Sequence, residues 1–490
     1  MSERVLVLGA GMAGLFTALA LAPGPRQITL LERDPPPPDG GPDDAFFDWK
    51  RRGVGQLRHS HGFLARMRAV IAARHPALLE QLREAGCREI AFTEMTPVGL
   101  RAAYRPQAGD DEMVILTSRR TTFELLLRRY VETLPGVAIT PDAFVRALTI
   151  EPAANGALQV AGVSFERGGR TWTLDADVVV DAQGRLSDAY AQLVEAGAHV
   201  ADESEPCGIL YFTRHYRRTA ADPPPARATA TGDLSYIKYG RFPGDNGCFS
   251  ITLAVPEAET ELRLAVMRPE VFDRICALLP GIAEWVAPDG AEAISSVFGM
   301  GDLENHWRRF VSADQRAVLG FFAVGDSLVR TNPLYGRGCS FAAVESEVLG
   351  QVLDETPDPA VRARLYDTRI WTALRPYYED MCAQDRGAIR RAHEARDPGH
   401  RRSMAQRLGQ SFRDDGVAIA VRSDLPLLRA AMREFNMLDP PRAWLRRPET
   451  LIKSMGRWAR GRAANAGYYP PSLGPDRAEM LHVLGLTAAG

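Results

Sequence analysis

The chain has 490 residues, with 59 Lys+Arg against 61 Asp+Glu and a formal net charge of -2. That balance excludes a general nucleic-acid coat protein and a disordered acidic chain. Hydrophobic residues at 46% and charged residues at 24% fit a globular protein with a sizeable core, and the length suits about two to four domains. Cys87, Cys207, Cys248, Cys276, Cys339 and Cys382 show no CxxC spacing, so neither a zinc site nor a small disulfide scaffold is expected, only reduced thiols in a cytoplasmic protein.

Val5 to Pro25 carries no charge, yet it does not read as a secretory signal or a membrane span. Glu3 stands beside Arg4, so there is no positive leader, and Gly9, Gly11 and Gly14 interrupt the apolar run. The spacing predicts a buried strand at Arg4–Leu8, a turn at Gly9–Gly14, a helix through Leu21 and a second strand at Ile28–Leu31 that ends on Glu32. In that context the glycines mark a dinucleotide site for FAD or NAD. Gly9 permits the tight turn, Gly11 lets backbone approach a pyrophosphate, and Gly14 lets helix and strand pack closely. The helix start between them, with Met12 and Ala13, offers free N–H groups to phosphate. Glu32 would accept from the adenosine ribose hydroxyls, with Arg33 beside it.

Four further stretches follow. Arg51-Arg52-Gly53-Val54-Gly55-Gln56 runs on to His59 and His61, after an irregular proline-rich loop from Pro35 to Pro38. Ser118-Arg119 precedes a helix expected from near Thr121. A buried strand at Ala176–Asp181 runs into a turn at Gln183-Gly184-Arg185. Last come Gly325-Asp326, then Asn332-Pro333-Leu334-Tyr335-Gly336-Arg337-Gly338, and a helix expected from about Ser340 to Leu353.

In this order, from about Arg4 to Leu353, the set resembles the flavoprotein monooxygenases of the para-hydroxybenzoate hydroxylase type, closest to the bacterial branch that includes the polyether epoxidases. The resemblance implies that Asp326, after Gly325, bonds the ribityl chain of FAD. It implies that Pro333, Gly336 and Gly338, with Arg337, lie against the isoalloxazine. Arg51 and Arg119 are implied to contact the cofactor, and Asp181 and Gly184 join them as candidates. Gly336 and Gly338 also leave backbone N–H groups free just before a helix, a place for the negative charge of reduced flavin. Two departures stand out. Gly55 occupies the place where the branch often has proline, and Ser327-Leu328-Val329 replaces the Ala-Ala-His of many aromatic hydroxylases.

The fold expected is α/β: a Rossmann-like FAD-binding domain of three layers, an inserted antiparallel-sheet substrate domain and a helical C-terminal region. The boundaries expected are FAD-binding segments at 1–84, 116–203 and 304–356, substrate-domain strands at 85–115, a substrate sheet at 204–303 and helices over 357–490. Asp245-Asn246-Gly247 reads as a hairpin turn in that sheet, and Pro223-Pro224-Pro225 as a loop. Tyr211, Arg214 and Tyr239 are candidate pocket residues. No catalytic acid or base is assigned.

The resemblance implies that NADPH or NADH reduces the flavin and that a C4a-hydroperoxide passes one oxygen to an organic, largely apolar substrate. Hydroxylation or epoxidation in natural-product biosynthesis is the expected setting. Two alternatives stay open: an FAD-dependent dehydrogenase or ene-reductase of the prenyl-reductase type, and a non-catalytic flavin-fold binding protein. His59 and His61 lack the further ligands a metal needs, so no metal is expected. Cys339 reads as a packed residue, not a nucleophile. From Arg386 to Arg462 there are 18 Lys+Arg against 8 Asp+Glu. That excess reads as solvated helix faces or as a dock for an acidic partner such as a carrier protein holding the substrate. No nucleic-acid partner and no stable membrane insertion are expected, and oligomeric state is left open.

Overall fold

The computed structural model describes residues 2–153, 156–219, 230–311, 317–397 and 399–486. The loop expected at Pro223-Pro224-Pro225 lies outside the described residues.

The apolar run at the amino end forms the central strand of a five-stranded parallel sheet. Its order is Phe321–Ala323, Val178–Asp181, Glu3–Leu8, Arg26–Leu31, Val137–Thr140. Val5, Val7, Ile28, Leu30 and Val178–Val180 are buried, as strands covered on both faces require. Helix Met12–Leu21 packs between this sheet and helix Gly338–Glu355. On the other side lies an antiparallel meander of Phe144–Pro152, Leu158–Arg167 and Arg170–Asp175, whose Val160, Val163 and Phe165 join the same core. Meander, parallel sheet and helices make the three layers.

The second sheet is antiparallel. Thr231–Asp233, Lys238–Pro243, Cys248–Pro256 and Ile209–Arg218 pair in that order, and Ala291–Ala293 and Phe298–Met300 both pair with Ile209–Arg218. Asn246 (φ 51°) and Gly247 (φ 71°) make the left-handed turn expected of that hairpin. Alternation sets the two faces. Phe212, Tyr216, Phe249, Ile251 and Leu253 pack with helices Pro269–Ala277 and Arg477–Leu484. The opposite face, with Tyr211, Thr213, Thr252 and Ala254, looks into a cavity.

The helical C-terminal region begins as part of the main core. Asp358 caps helix Pro359–Arg396 through the N–H groups of Ala360 and Val361, and Tyr366, Ile370, Leu374 and Met381 lie in the large hydrophobic cluster. Half of the net excess of ten in 386–462 pairs with acids elsewhere in this chain. Arg386 pairs with Glu205 at 2.5 Å, Arg396 with Glu259 at 3.1 Å, Arg429 with Asp110 at 2.7 Å, Arg433 with Glu112 at 2.8 Å and Arg442 with Asp380 at 2.6 Å. Among the described residues, no helix is long and apolar enough to cross a membrane.

Candidate functional site

Gly9, Glu32, Ala182 and Gly325 each follow the carboxyl end of a parallel strand, and all four line one cavity of about 1830 Å³. The carboxyl edge is where open α/β sheets bind ligands. An ordinary small-molecule pocket takes about 300–1,000 Å³, so there is room here for a dinucleotide and a second molecule.

The glycine turn behaves as its spacing predicts. Gly9 has φ 99°, and a Cβ there would meet Ala182 O at 2.8 Å. A Cβ on Gly14 would drive into the Gly9 carbonyl, so only glycine brings the helix this close to the strand. Gly11 is different: a Cβ would touch nothing nearer than Arg51 Nη2 at 3.8 Å and would protrude into the cavity wall. Glu32 is buried and accepts from Ala10 N and Asp34 N, each at 2.9 Å, while still lining the cavity.

Arg51 closes the wall behind Gly11. Its guanidinium lies 3.2 Å from Glu32 Oε2 and 2.8 Å from Glu124 Oε1, and Nη2 donates to Ala10 O at 3.2 Å. Burial opposes its charge, but Glu124, Glu32 and Asp34 outweigh burial and raise its pKa. The Glu32 contact is made by Nη1, and Nε lies 3.9 Å from Asp34 Oδ2, so the guanidinium is held among three acids behind the glycine turn.

Gly325 (φ 63°) sets its turn against Ala13, where a Cβ would come within 2.7 Å of the Ala13 methyl. Asp326 is thereby held in the cavity wall, and burial pushes its carboxyl above the usual range. Ser327 Oγ accepts from Gly184 N at 2.9 Å and joins this turn to the one after Val178–Asp181, which gives the serine a structural task in place of the family's alanine. Beneath the turn, Gly325 N donates to Glu345 Oε2 at 2.5 Å. Burial raises Glu345 to about 8. An acid raised on folding stabilises fully below its unfolded value and loses that contribution as pH climbs to the folded one. Glu345→Gln is therefore expected to flatten the stability profile between about pH 5 and pH 8, with a wild-type loss on the order of 3 kcal/mol over that window. Urea denaturation at a series of pH values checks it; parallel profiles for the two proteins contradict it.

The loop Asn332–Gly338 is pinned from behind. Asp385, buried on helix Pro359–Arg396, accepts from Asn305 Nδ2 at 2.7 Å, Asn332 Nδ2 at 2.9 Å and Tyr335 Oη at 2.8 Å. Asn305 Oδ1 accepts from Asn332 N at 2.8 Å. Asn332 Oδ1 accepts from Leu334 N at 3.0 Å and from Tyr211 Oη at 2.5 Å. With these fixed, Pro333, Gly336 (φ 64°) and Gly338 line the cavity at the start of helix Gly338–Glu355.

Several expected residues stand elsewhere. Arg119 is not among the lining residues: its guanidinium lies 2.6 Å from Asp245 and 2.7 Å from Asp43, tying the hairpin turn to the FAD-side helices. Arg120 takes the cavity position, with Nε 3.2 Å from Glu124 Oε2 and Nη1 donating to His61 Nε2 at 3.1 Å. Asp181 lies behind the wall and accepts from Ser187 Oγ at 2.5 Å and Gln183 N at 3.0 Å, leaving Gly184 to line the cavity. Arg337 turns back to Asp380 and the Tyr377 carbonyl. Arg214 turns out to Asp273 and the Ser295 carbonyl. Gly14 lies inside the helix contact and not in the wall. Met12, Ala13, Arg33, Tyr211 and Tyr239 do line the cavity, and Tyr239 Oη donates to Leu473 O at 2.9 Å.

The two histidines divide. Arginine only donates, so His61 Nε2 accepts and its Nδ1 carries the hydrogen given to His59 O at 2.9 Å. Burial and Arg120 hold that ring down at about 3. His59, lowered to about 4 by burial, uses Nδ1 on Thr213 Oγ1 at 3.0 Å. Thr213, Thr252, Ser60 and Ser250 continue a chain of hydroxyl contacts of 2.7–2.8 Å. Cys339 lines the cavity with its thiol raised by burial, which suits packing and not nucleophilic attack. Among the described residues no group of His, Cys, Asp and Glu is arranged to hold a metal.

Residues 4–296 match the family of FAD dependent oxidoreductases, so the chain belongs to that family, and its cofactor is FAD. It is 25% identical over 372 residues to Protein Rv3254 of Mycobacterium tuberculosis, covering 72% of this chain and 73% of that protein. It is 26% identical over 385 residues to kynurenine 3-monooxygenase of Salinispora tropica, covering 74% and 76%. The crystal structure of p-nitrophenol 4-monooxygenase PnpA from Pseudomonas putida has the same fold, with a TM-score of 0.58 at 17% identity over 90% of this chain and 99% of that one.

Proposed function

We propose that this FAD-dependent oxidoreductase is a monooxygenase of the para-hydroxybenzoate hydroxylase type, in the branch of the bacterial polyether epoxidases, taking electrons from NADPH or NADH. One observation carries the reading. The cavity runs unbroken from the Gly9–Gly14 turn, past Asp326, to the Asn332–Gly338 loop, and there meets a sheet face of Tyr211, Thr213, Thr252, Ala254 and Met300. A dinucleotide seated in the groove would leave its redox ring near this wall of neutral side chains, with space for an organic substrate. The kynurenine 3-monooxygenase relative supports oxygen transfer as the chemistry.

FAD supplies the two-electron acceptance from nicotinamide and the activation of dioxygen. The chain's tasks are to hold and shield. Gly9, Gly11 and the start of helix Met12–Leu21 would receive the pyrophosphate, Glu32 the ribose and Asp326 the ribityl hydroxyls. The N–H groups at Gly338 would be available to the negative charge that the ring gains on reduction. The buried face of the second sheet keeps water from the reacting centre. The balance is substrate plus O2 plus NADPH plus a proton to oxygenated substrate, water and NADP+. The six cysteines are unpaired, which supports cytoplasmic residence. The substrate is a small molecule.

The test is turnover of the holoenzyme under 18O2 with NADPH and a panel of phenols and alkenes that includes kynurenine and p-nitrophenol. A product carrying a single labelled oxygen supports the reading. NADPH oxidation that yields only hydrogen peroxide, or an unlabelled reduced product, overturns it.

A further inference from the structure

The hydroxyl chain on the cavity face of the second sheet has a direction. Thr252 Oγ1 donates to Ser60 Oγ at 2.7 Å, which uses its one hydrogen. The hydrogen in the 2.8 Å contact between Thr213 and Thr252 therefore comes from Thr213. With that hydrogen spent, the 3.0 Å contact between Thr213 and His59 Nδ1 is donated by the ring. Tyr211, two residues along the strand from Thr213, has spent its own hydrogen on Asn332 Oδ1.

The tautomer of His59 follows. Burial alone shifts this ring, down to about 4, so it is neutral near pH 7, and a neutral imidazole has one N–H. That N–H is on Nδ1, which leaves a bare lone pair on Nε2. Nε2 has no partner among the described residues, yet it is not sealed, whereas Nδ1 of His215 is. His59 is 6% exposed and lines the cavity, which is where the opening lies. His61 differs, since Arg120 and the His59 carbonyl engage both of its nitrogens.

Two contacts set His59 beside the Asn332–Gly338 loop. Its partner Thr213 stands about 7 Å along the strand from Tyr211, which hydrogen-bonds that loop. From the other side, a Cβ on Gly336 would lie 3.7 Å from Gly62 O, so the segment from His59 to Gly62 runs against the loop.

We propose that His59 is a specificity-determining residue that accepts, at Nε2, the hydrogen of a substrate O–H or N–H group, with Thr213 and Thr252 as positioning residues that fix its tautomer. The inference rests on the monooxygenase reading only for the placement of substrate on this face. A substrate that brings a hydrogen is held. An ether of the same shape meets lone pairs on His59, Thr213 and Thr252 and is disfavoured.

Binding is read from the visible flavin spectrum of the oxidised holoenzyme, a signal that needs bound FAD but no turnover. The probes are 4-tert-butylphenol and its methyl ether. The wild type is expected to bind the phenol about threefold to tenfold more tightly than the ether. His59→Phe keeps a ring and removes the acceptor, so the preference disappears through weaker phenol binding. His59→Gln retains an acceptor at that reach and recovers part of it. Thr252→Val frees the Thr213 hydrogen to turn onto Nδ1, which moves the ring hydrogen to Nε2, and the preference falls toward parity although His59 is intact. The N–H of the flavin ring is the competing donor for this lone pair, so FAD affinity is measured alongside and is expected to stay within about twofold in all three variants. His59→Phe that loses FAD while the phenol preference survives overturns the proposal. So does a wild-type spectrum that the phenol leaves unchanged, a wild type that binds both probes equally, or a Thr252→Val protein with the full preference. Those results leave the labelled-oxygen test untouched, whereas failure of that test leaves the spectral titration readable.

Discussion

Gly11→Ala is expected to give a folded, colourless protein, and Gly14→Ala a poorly folded one. The two glycines stand three residues apart, yet the structure assigns them opposite costs. At Gly14 the added methyl meets the Gly9 carbonyl, a backbone atom that cannot yield. Overpacking against backbone costs about 3 kcal/mol or more, a large share of a domain's stability. At Gly11 the methyl has room, because its neighbour is the guanidinium of Arg51 at 3.8 Å and the cavity lies beside it. Folding is spared, but the space for the pyrophosphate is taken. Losing one or two charge-assisted hydrogen bonds from backbone N–H groups weakens FAD by about a hundredfold or more. Thermal melts by circular dichroism and titration of apoprotein with FAD separate the cases. Equal melting losses, or a Gly11→Ala protein that purifies yellow, would contradict the assignment.

Asp385→Ala is the second large effect. The carboxylate holds Asn305, Asn332 and Tyr335 at once, and through Asn332 it holds Tyr211. Removing it leaves two buried donors, on Asn305 and Asn332, and one half-buried donor, on Tyr335, unpaired, a penalty of about 1–3 kcal/mol for each buried group that finds no new partner. The loop from Asn332 to Gly338 then loses its fixed position. FAD is expected to bind about tenfold to a hundredfold more weakly, with a drop in melting temperature that excess FAD partly restores. Asp385→Asn keeps part of the network and should fall between the alanine variant and wild type. An alanine variant with wild-type FAD affinity would show that the loop is held by its own backbone alone.

Much of the groove was legible from short spacings, because its chemistry is carried by backbone. Gly9, Gly11, Gly14, Glu32 and the Gly325-Asp326 pair stand where a turn must follow a strand, and the strands announce themselves as apolar runs. The side-chain partners were not legible, because they come from distant parts of the chain. Asp385 is 50 residues beyond the Tyr335 it holds, on a helix whose sequence shows only amphipathic spacing. Glu345 left a faint signal, an acid directly after the apolar run Phe341-Ala342-Ala343-Val344, but Glu347 two residues on makes it look like an ordinary exposed position. Arg119 and Arg120 could not be told apart from sequence, since adjacent residues leave a helix start in different directions. Only Asp245 on the hairpin shows which one turns away. The basic count over 386–462 was visible, but the pairing of half its excess with Glu205, Glu259, Asp110, Glu112 and Asp380 required the fold.

The most direct measurement is the flavin content of the purified protein, read from its visible spectrum and from the nucleotide released on denaturation. One FAD per chain, released intact and re-bound by the apoprotein, is the predicted result. A protein that purifies without flavin and takes up none when FAD is supplied would contradict the account at its root.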